Sequence, residues 1–551
     1  MESKGQRMNE SGTAFRFKRN AKIGEAAAEQ DDEFLFHSFV DIGDFREIRD
    51  IRSPKRIVVG RTGSGKSALL RYLAYDQDHV IELDPEHLSL NFIANNDVLQ
   101  FFDQLGIKLE LFYGLLWKHV LAVELIRHKY HLTTEEKTKG WVDQFLDNFK
   151  KKDQTKERAL LYLRTWGNKF WNETESRVQQ LTTKLAGDLS TGTGINVAAL
   201  KSEIKSGVSL SEEKKQEIVQ HGQRVVNSVQ IKELADVIRF LQEDVFTDSH
   251  QPFYITIDKL DENWVDDSIR YKLIRALVES IRSFQRVQNV KIIVAIRQDL
   301  LQKVYKSTAD SGFQEEKYEA LMLRIRWNRG QIENMLDKRI STLVQQQYTT
   351  RNVKLRELFP EKVGKLAFMD YFIQRTALRP RDAILFVNDC ISRSEAAGKV
   401  KVQTVFEAER EYSRLRRNSL IHEWSRLYPS LVITITLIER TDPEFKVSSL
   451  DKLVVDRVIE ELAQMSATTS DSCTSAASIY MEAASGSKNA VVSEILRSLF
   501  EVGAIGLRFE GGTGILWAYE NSPPNASQIK PNTKVQLHPM FYQALHTRFI
   551  G

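Results

Sequence analysis

Residues 60–67 read Gly-Arg-Thr-Gly-Ser-Gly-Lys-Ser, a full match to GxxxxGK[ST]. An apolar run, Arg56-Ile-Val-Val, precedes them, and a helical pattern follows from Ser67 to about Tyr75. Few features restrict a fold so tightly, because this string works only where a strand turns through a glycine loop into a helix. Gly60, Gly63 and Gly65 let the backbone curl until successive N–H groups face one anion. Arg61, Thr62, Ser64 and Ala68 complete the loop and the first helical turn as candidate nucleotide-contacting positions. Lys66 is placed to reach the β- and γ-phosphates of a nucleotide, and the Ser67 hydroxyl to bind Mg²⁺. ATP and Mg²⁺ are therefore the expected cofactors.

The strand–loop–helix opening continues as alternating elements. His79-Val-Ile-Glu-Leu-Asp reads as a second strand and Pro252-Phe-Tyr-Ile-Thr-Ile-Asp258 as a third. A helix is expected over about 268–287, then a strand over Val290-Lys-Ile-Ile-Val-Ala-Ile-Arg297. The fold class this implies is an α/β P-loop NTPase core, a parallel sheet with flanking helices. A chain of 551 residues exceeds one hydrophobic core. We expect an N-terminal arm (1–50), the core in two parts (51–96 and 248–330), a helical insertion carrying a β-hairpin (97–247), a helical lid (331–430) and a C-terminal winged-helix-like domain (431–551). Residues 1–30 are polar and read as a mobile arm, with Phe15 to Arg19 as a loosely docked knot. The Ser/Thr/Ala-rich stretch 465–489 reads as a mobile connection. At the end, 491–502 reads as a helix, with Ile505–Phe509 and Ile515–Tyr519 as a hairpin about Glu510-Gly-Gly-Thr-Gly514.

A P-loop enzyme needs a carboxylate at the tip of a downstream strand to hold Mg²⁺ through its waters, and Asp258 sits there. The residue after it, where many ATPases carry the acidic base, is Lys259. Asp261 and Glu262 are the nearest alternatives, with Glu82 and Asp84 at the neighbouring strand end as another pair. Arg297 closes the next strand and is a candidate γ-phosphate sensor. Arg379 and Arg381 flank Pro380 at a helix start, where a cation opposes the helix dipole and an anionic partner such as nucleotide phosphate would explain it. Arg324, Arg326 and Arg329 around Trp327 are candidates to act on a neighbouring subunit's nucleotide. The eleven histidines show no HExxH spacing, and there is no GxSxG nucleophile.

The strings GRTGSGKSALL, YITIDKLDENW, VAIRQDLL, LRPRDAILFVN and GAIGLRFEGGTGILWAYE together resemble the AAA+-related signal-transduction and origin-recognition-like ATPases. More narrowly they resemble a bacterial family of P-loop ATPases found in mobile and antiviral defence loci. The resemblance covers about residues 55–95 and 250–390 well, the C-terminus weakly and the insertion hardly at all. It implies Asp258 as the Walker B carboxylate, Arg297 as first sensor and Arg379 or Arg381 as second. It also implies nucleotide-linked homo-oligomerisation and a role against phage or other invading DNA, with a separately encoded effector protein. Lys259 departs from the acidic pair of such enzymes and leaves the base open.

Charge bears on partners. Lys and Arg exceed Asp and Glu by 78 to 74, so double-stranded DNA, if bound, must meet a local patch. The region 491–521 holds Arg497 and Arg508 against four glutamates, which suits a protein-docking module better than a DNA reader. Tyr412-Ser-Arg-Leu-Arg-Arg417, with His422 and Arg426 following, is the better DNA candidate. The expectation is an ATP-driven oligomerising switch, ahead of a DNA-acting ATPase and a nucleotide-stabilised scaffold. Cys390 and Cys473 are the only cysteines and suit a reducing cytoplasm. The longest apolar run, Leu431–Ile438, is too short for a bilayer, so no membrane is expected.

Overall fold

The computed structural model describes residues 15–88, 109–131, 216, 232–262, 264–265, 267–307, 316–347, 352–482, 487–512, 514–518 and 523–548. They fall into two compact units, Asp41–Arg326 and Met1–Val40 with Trp327–Gly551. The hairpin expected over 192–210 and the aromatic helix expected around Trp141 to Phe149 lie outside the described residues.

The first unit is built on a five-stranded parallel sheet. Its strands are β1 (Ile57–Gly60), β2 (Val80–Leu83), β3 (Phe253–Ile257), β4 (Val290–Arg297) and β5 (Met322–Arg324). The order is β2-β3-β4-β1-β5, and every adjacent pair runs parallel. β1, β3 and β4 are almost wholly apolar because helices cover both faces of such a sheet. Ile57, Ile255, Ile257, Ile293 and Val294 are fully buried. Helices Asp267–Phe284 and Glu110–Lys129 pack against each other, and Trp117 Nε1 donates to Leu273 O at 2.9 Å. Trp117, Leu121, Val237 and Phe240 belong to the same core cluster as β1 and β3. The described ends of the segment read as an insertion are thus part of the core unit, because their apolar faces complete its packing.

In the second unit, helix Asp32–Ser38 lies on helix Arg329–Gln347, and helices Phe368–Thr376, Pro380–Ser392 and Val402–Trp424 follow. The Phe386 ring stacks between those of Phe372, at 5.4 Å, and Tyr412, at 5.0 Å. Of residues 1–30, expected to be mobile apart from a loosely docked knot at Phe15–Arg19, the described part is docked from residue 15 onward. Phe17 is buried and exchanges backbone hydrogen bonds with Ala396 and Ala397, and Ile23 N donates to Asn388 Oδ1 at 2.8 Å. Residues 41–50 belong instead with the sheet unit.

The Ser/Thr/Ala-rich stretch, expected to be mobile, holds a helix among its described residues, Ser472–Glu482. Asp471 caps it by accepting from Cys473 N and Thr474 N, both at 2.9 Å. Cys473 and Ala477 are fully buried, because small side chains let this helix approach its neighbours closely. Helices Lys452–Met465 and Lys488–Glu501 flank it in sequence. The unit ends in a three-stranded antiparallel sheet of β8 (Glu444–Lys446), β9 (Ile505–Arg508) and β10 (Lys534–Leu537), ordered β8-β10-β9. The remaining strands, β6 (Lys362–Val363) and β7 (Leu366–Ala367), form a short hairpin. Of the hairpin expected over 505–519, the described residues show one bridge, Leu507 to Leu516, whose two backbone hydrogen bonds lie on the edge of β9 opposite β10.

Candidate functional site

The site lies at the carboxyl ends of β1, β3 and β4. Gly60 ends β1, and the chain turns through 61–65 into helix Lys66–Asp76. Gly63 and Gly65 take φ of +75° and +95°, a left-handed region open to glycine at little cost. Gly60 is needed for space, since a Cβ there would fall 2.3 Å from Ser64 Oγ. The Lys66 side chain is buried and folds back over the loop. Its amine donates to Gly60 O at 3.3 Å and Arg61 O at 3.2 Å. Burial lowers its pKa, while the Asp258, Asp261 and Asp299 carboxylates raise it and Arg297 lowers it further.

Asp258 follows β3. Burial pushes its carboxyl above the usual carboxylate range, against hydrogen bonds from the Ser67 side chain and the Lys259 amide and the charge of Lys66. A buried carboxylate joined to a hydroxyl is the oxygen donor set that a hard divalent cation takes. The residues present therefore fit Mg²⁺ and a polyphosphate. The glycine loop is curled by left-handed backbone at Gly63 and Gly65, the Lys66 amine lies over it, and Ser67 acts on the Asp258 carboxyl.

Lys259, directly after Asp258, has φ of +59°. Its amide donates to Asp258 Oδ1 at 2.8 Å, its carbonyl accepts from Glu262 N at 3.0 Å, and its amine meets Asp84 Oδ2 at 3.1 Å. The turn is pinned from behind by two residues that sequence reasoning missed. Buried Arg270 donates to Glu262 O at 2.7 Å and Asp261 O at 3.4 Å, and buried Trp264 donates to Leu260 O at 3.2 Å. Trp264 stood in the quoted string, but nothing in its spacing marked it as a loop anchor. Burial, then the charges of Asp84, Asp261 and Glu86, raise the Glu262 pKa against the pull of Lys259. Glu82 is exposed.

Arg297 ends β4, in register with Gly60. Its Nε and Nη2 donate to Asp299 Oδ1 and Oδ2 at 3.0 and 2.8 Å, and its Nη1 to Asp261 Oδ2 at 3.0 Å. Lys66, Ser67, Asp258, Asp261 and Arg297 thus converge.

The other candidates belong to the second unit or its border. Arg379 is the N-cap of helix Pro380–Ser392, after Ala377 and Leu378 at φ of +51° and +55°. Its Nη1 lies 3.8 Å from Oδ2 of buried Asp382, while Arg381 Nε donates to Ala26 O at 3.3 Å. Arg324 is exposed and pairs with Glu319, and Arg329 pairs with Asp370. Arg326 is exposed. Of the arginines read as a DNA face, three are tied to carboxylates: Arg414 to Glu411, Arg416 to Asp382 and Arg417 to Glu439.

A parallel sheet in which β4 separates the glycine-loop strand from the Asp258 strand defines a P-loop NTPase core. A family model described as the FunZ-associated C-terminal helical domain matches residues 330–421, the part of the second unit that holds Arg379, Asp382 and Arg416. A comparison with curated proteins finds no match. Among solved structures, the chain is similar to a Walker-type ATPase of Pyrococcus abyssi, at 12% identity and a TM-score of 0.35 over 90% of this chain and 95% of that one. It is also similar to Drosophila ORC bound to DNA, at 10% identity and a TM-score of 0.27 over 99% and 96%. The fold assignment rests on the sheet and its loop, not on these scores. No helix among the described residues is long and apolar enough to cross a membrane.

Proposed function

We propose that the chain is a Mg²⁺-dependent ATPase whose nucleotide state drives its own oligomerisation. The observation that carries this reading is the meeting of Lys66, Ser67 and Asp258 at the carboxyl ends of β1 and β3, where the Lys66 amine lies over the glycine loop and Ser67 and Lys66 both act on the buried Asp258 carboxyl. Lys66 would move its amine from the loop carbonyls to phosphate oxygens, an exchange of neutral acceptors for charged ones. Ser67 and Asp258 would hold Mg²⁺. The ion, when bound, neutralises charge building on the phosphates.

The resemblance in sequence, together with this site, supports a switch in bacterial antiviral defence that acts through a separate effector protein. DNA binding is the second reading. Its best surface, the arginines of helix Val402–Trp424, is offset by Glu411, Asp382 and Glu439, and phosphate recognition calls for a net positive patch. The experiment is sedimentation of purified protein with ATP, with ADP and without nucleotide. An assembly formed with ATP and lost with ADP or in Lys66→Ala supports the switch. One unchanged oligomeric state under all conditions refutes it.

A further inference from the structure

The Arg297 guanidinium is gripped unequally by two carboxylates. Asp299 takes it as a fork, Nε to Oδ1 and Nη2 to Oδ2, and its side chain is 13% exposed. Asp261 takes only Nη1, with one oxygen, and its side chain is 36% exposed. Two parallel charge-assisted bonds fix the plane and direction of a guanidinium, whereas a single bond to a solvated carboxylate is screened and readily exchanged. The direction so fixed is useful, because Arg297 is in register with Gly60 and its charge is felt at Lys66, inside the glycine loop. Asp261 does not drift freely once released, since Arg270 holds its main chain.

Resting on the ATPase reading above, we propose that Asp299 is a positioning residue that holds Arg297, and that the Arg297–Asp261 bond is an exchangeable latch on the catalytic base. A terminal phosphate entering the loop competes with Asp261 for Nη1 of Arg297. When phosphate wins, Arg297 stays on Asp299 and the Asp261 carboxylate is released to accept a proton from water. The water oxygen bonds to the γ-phosphorus, the bond from that phosphorus to the β–γ bridging oxygen breaks, and ADP and phosphate leave. ADP has no γ-phosphate to offer, so the latch stays closed and the base stays occupied. The arrangement supplies what Lys259 withholds, a carboxylate near the reacting phosphate that acts only when the phosphate is there.

The test is equilibrium binding of fluorescent ATP and ADP analogues to the full chain in the presence of Mg²⁺, alongside turnover. Asp261→Asn removes a competitor for Arg297. It is expected to raise the ratio of ATP to ADP affinity by about two- to fivefold, the range of a partly exposed ion pair, while turnover falls. Asp299→Asn loosens Arg297 and is expected to lower the same ratio with ADP affinity unchanged. A merely structural role would weaken both nucleotides together. Asp261→Ser serves as a second removal should the amide pair with Arg297 on its own account. An affinity ratio that is unchanged or lowered in both Asp261 variants, with wild-type binding intact, overturns the latch alone. Wild-type protein that binds neither analogue, or binds both as well in Lys66→Ala, overturns the ATPase reading and the latch with it.

Discussion

Replacing Asp31 by alanine should undock the N-terminal arm. Asp31 is 3% exposed and accepts from Arg339 Nη2 at 2.5 Å and from Glu25 N at 2.7 Å. Arg339, itself buried, also donates to Ile23 O at 2.9 Å, and Asn388 bonds both Ile23 N and Gly24 O at 2.8 Å. The packing is tight enough that a Cβ on Gly24, at φ of +102°, would fall 2.3 Å from Asp31 Oδ1. Removing the carboxylate strands a buried guanidinium, which costs about 3–5 kcal/mol. Global unfolding of a chain with two compact units is not two-state, so the assay is native-state hydrogen exchange of the arm amides. At about 1.4 kcal/mol per factor of ten, the Phe17, Ile23 and Glu25 amides should exchange at least about a hundredfold faster. Adding Arg339→Met should restore much of the protection, because no charge is then left buried. Exchange of Phe17 and Ile23 within a factor of about two of wild type would refute the reasoning.

Other consequences concern charge. Lys291, fully buried on β4, donates to Glu47 O at 2.6 Å and Asp50 O at 2.7 Å, and burial, then Arg56, lower its pKa from 10.5 to about 7. Between about pH 7 and 10 the unfolded chain would hold a proton there that the folded one does not, so Lys291 makes stability rise with pH across that window. That slope amounts to at most about 1.4 kcal/mol per pH unit, so the melting temperature of the sheet unit should rise less steeply from pH 7 to 10 in Lys291→Met than in wild type. Arg416→Ala leaves Asp382 buried without its 2.8 Å partner and should destabilise by about 3 kcal/mol. Arg414→Ala, on the same helix, should leave the melting temperature unchanged because its pair with Glu411 is exposed.

The core was legible because its signals are local. Continuous apolar strands ending in glycine or aspartate place the loop and Asp258 without knowledge of the rest. The charge network at the site was not, because it depends on strand order. Only once β4 lies between β1 and β3 does Arg297 come within reach of Asp261, and Asp299 lie beside them as its fork. Arg270 and Trp264 hold the Asp261 loop from a helix and from the loop's own end, and no spacing in sequence announces that. Composition misled where it stood in for packing. Small and polar residues over 465–489 suggested a linker, yet Asp471 caps a helix whose alanine and cysteine are buried. The docking of the arm is not written near it in sequence either, since its anchors, Arg339, Asn388 and Ala397, lie more than three hundred residues away.

The most direct test is Mg²⁺-dependent ATP hydrolysis by the full chain beside Lys66→Ala and Asp258→Asn, with ATP binding measured in parallel. Wild type should turn over ATP, both variants should lose about a hundredfold or more, and Asp258→Asn should still bind nucleotide. Wild-type turnover in Lys66→Ala, or no ATP binding by the wild type, would contradict the account.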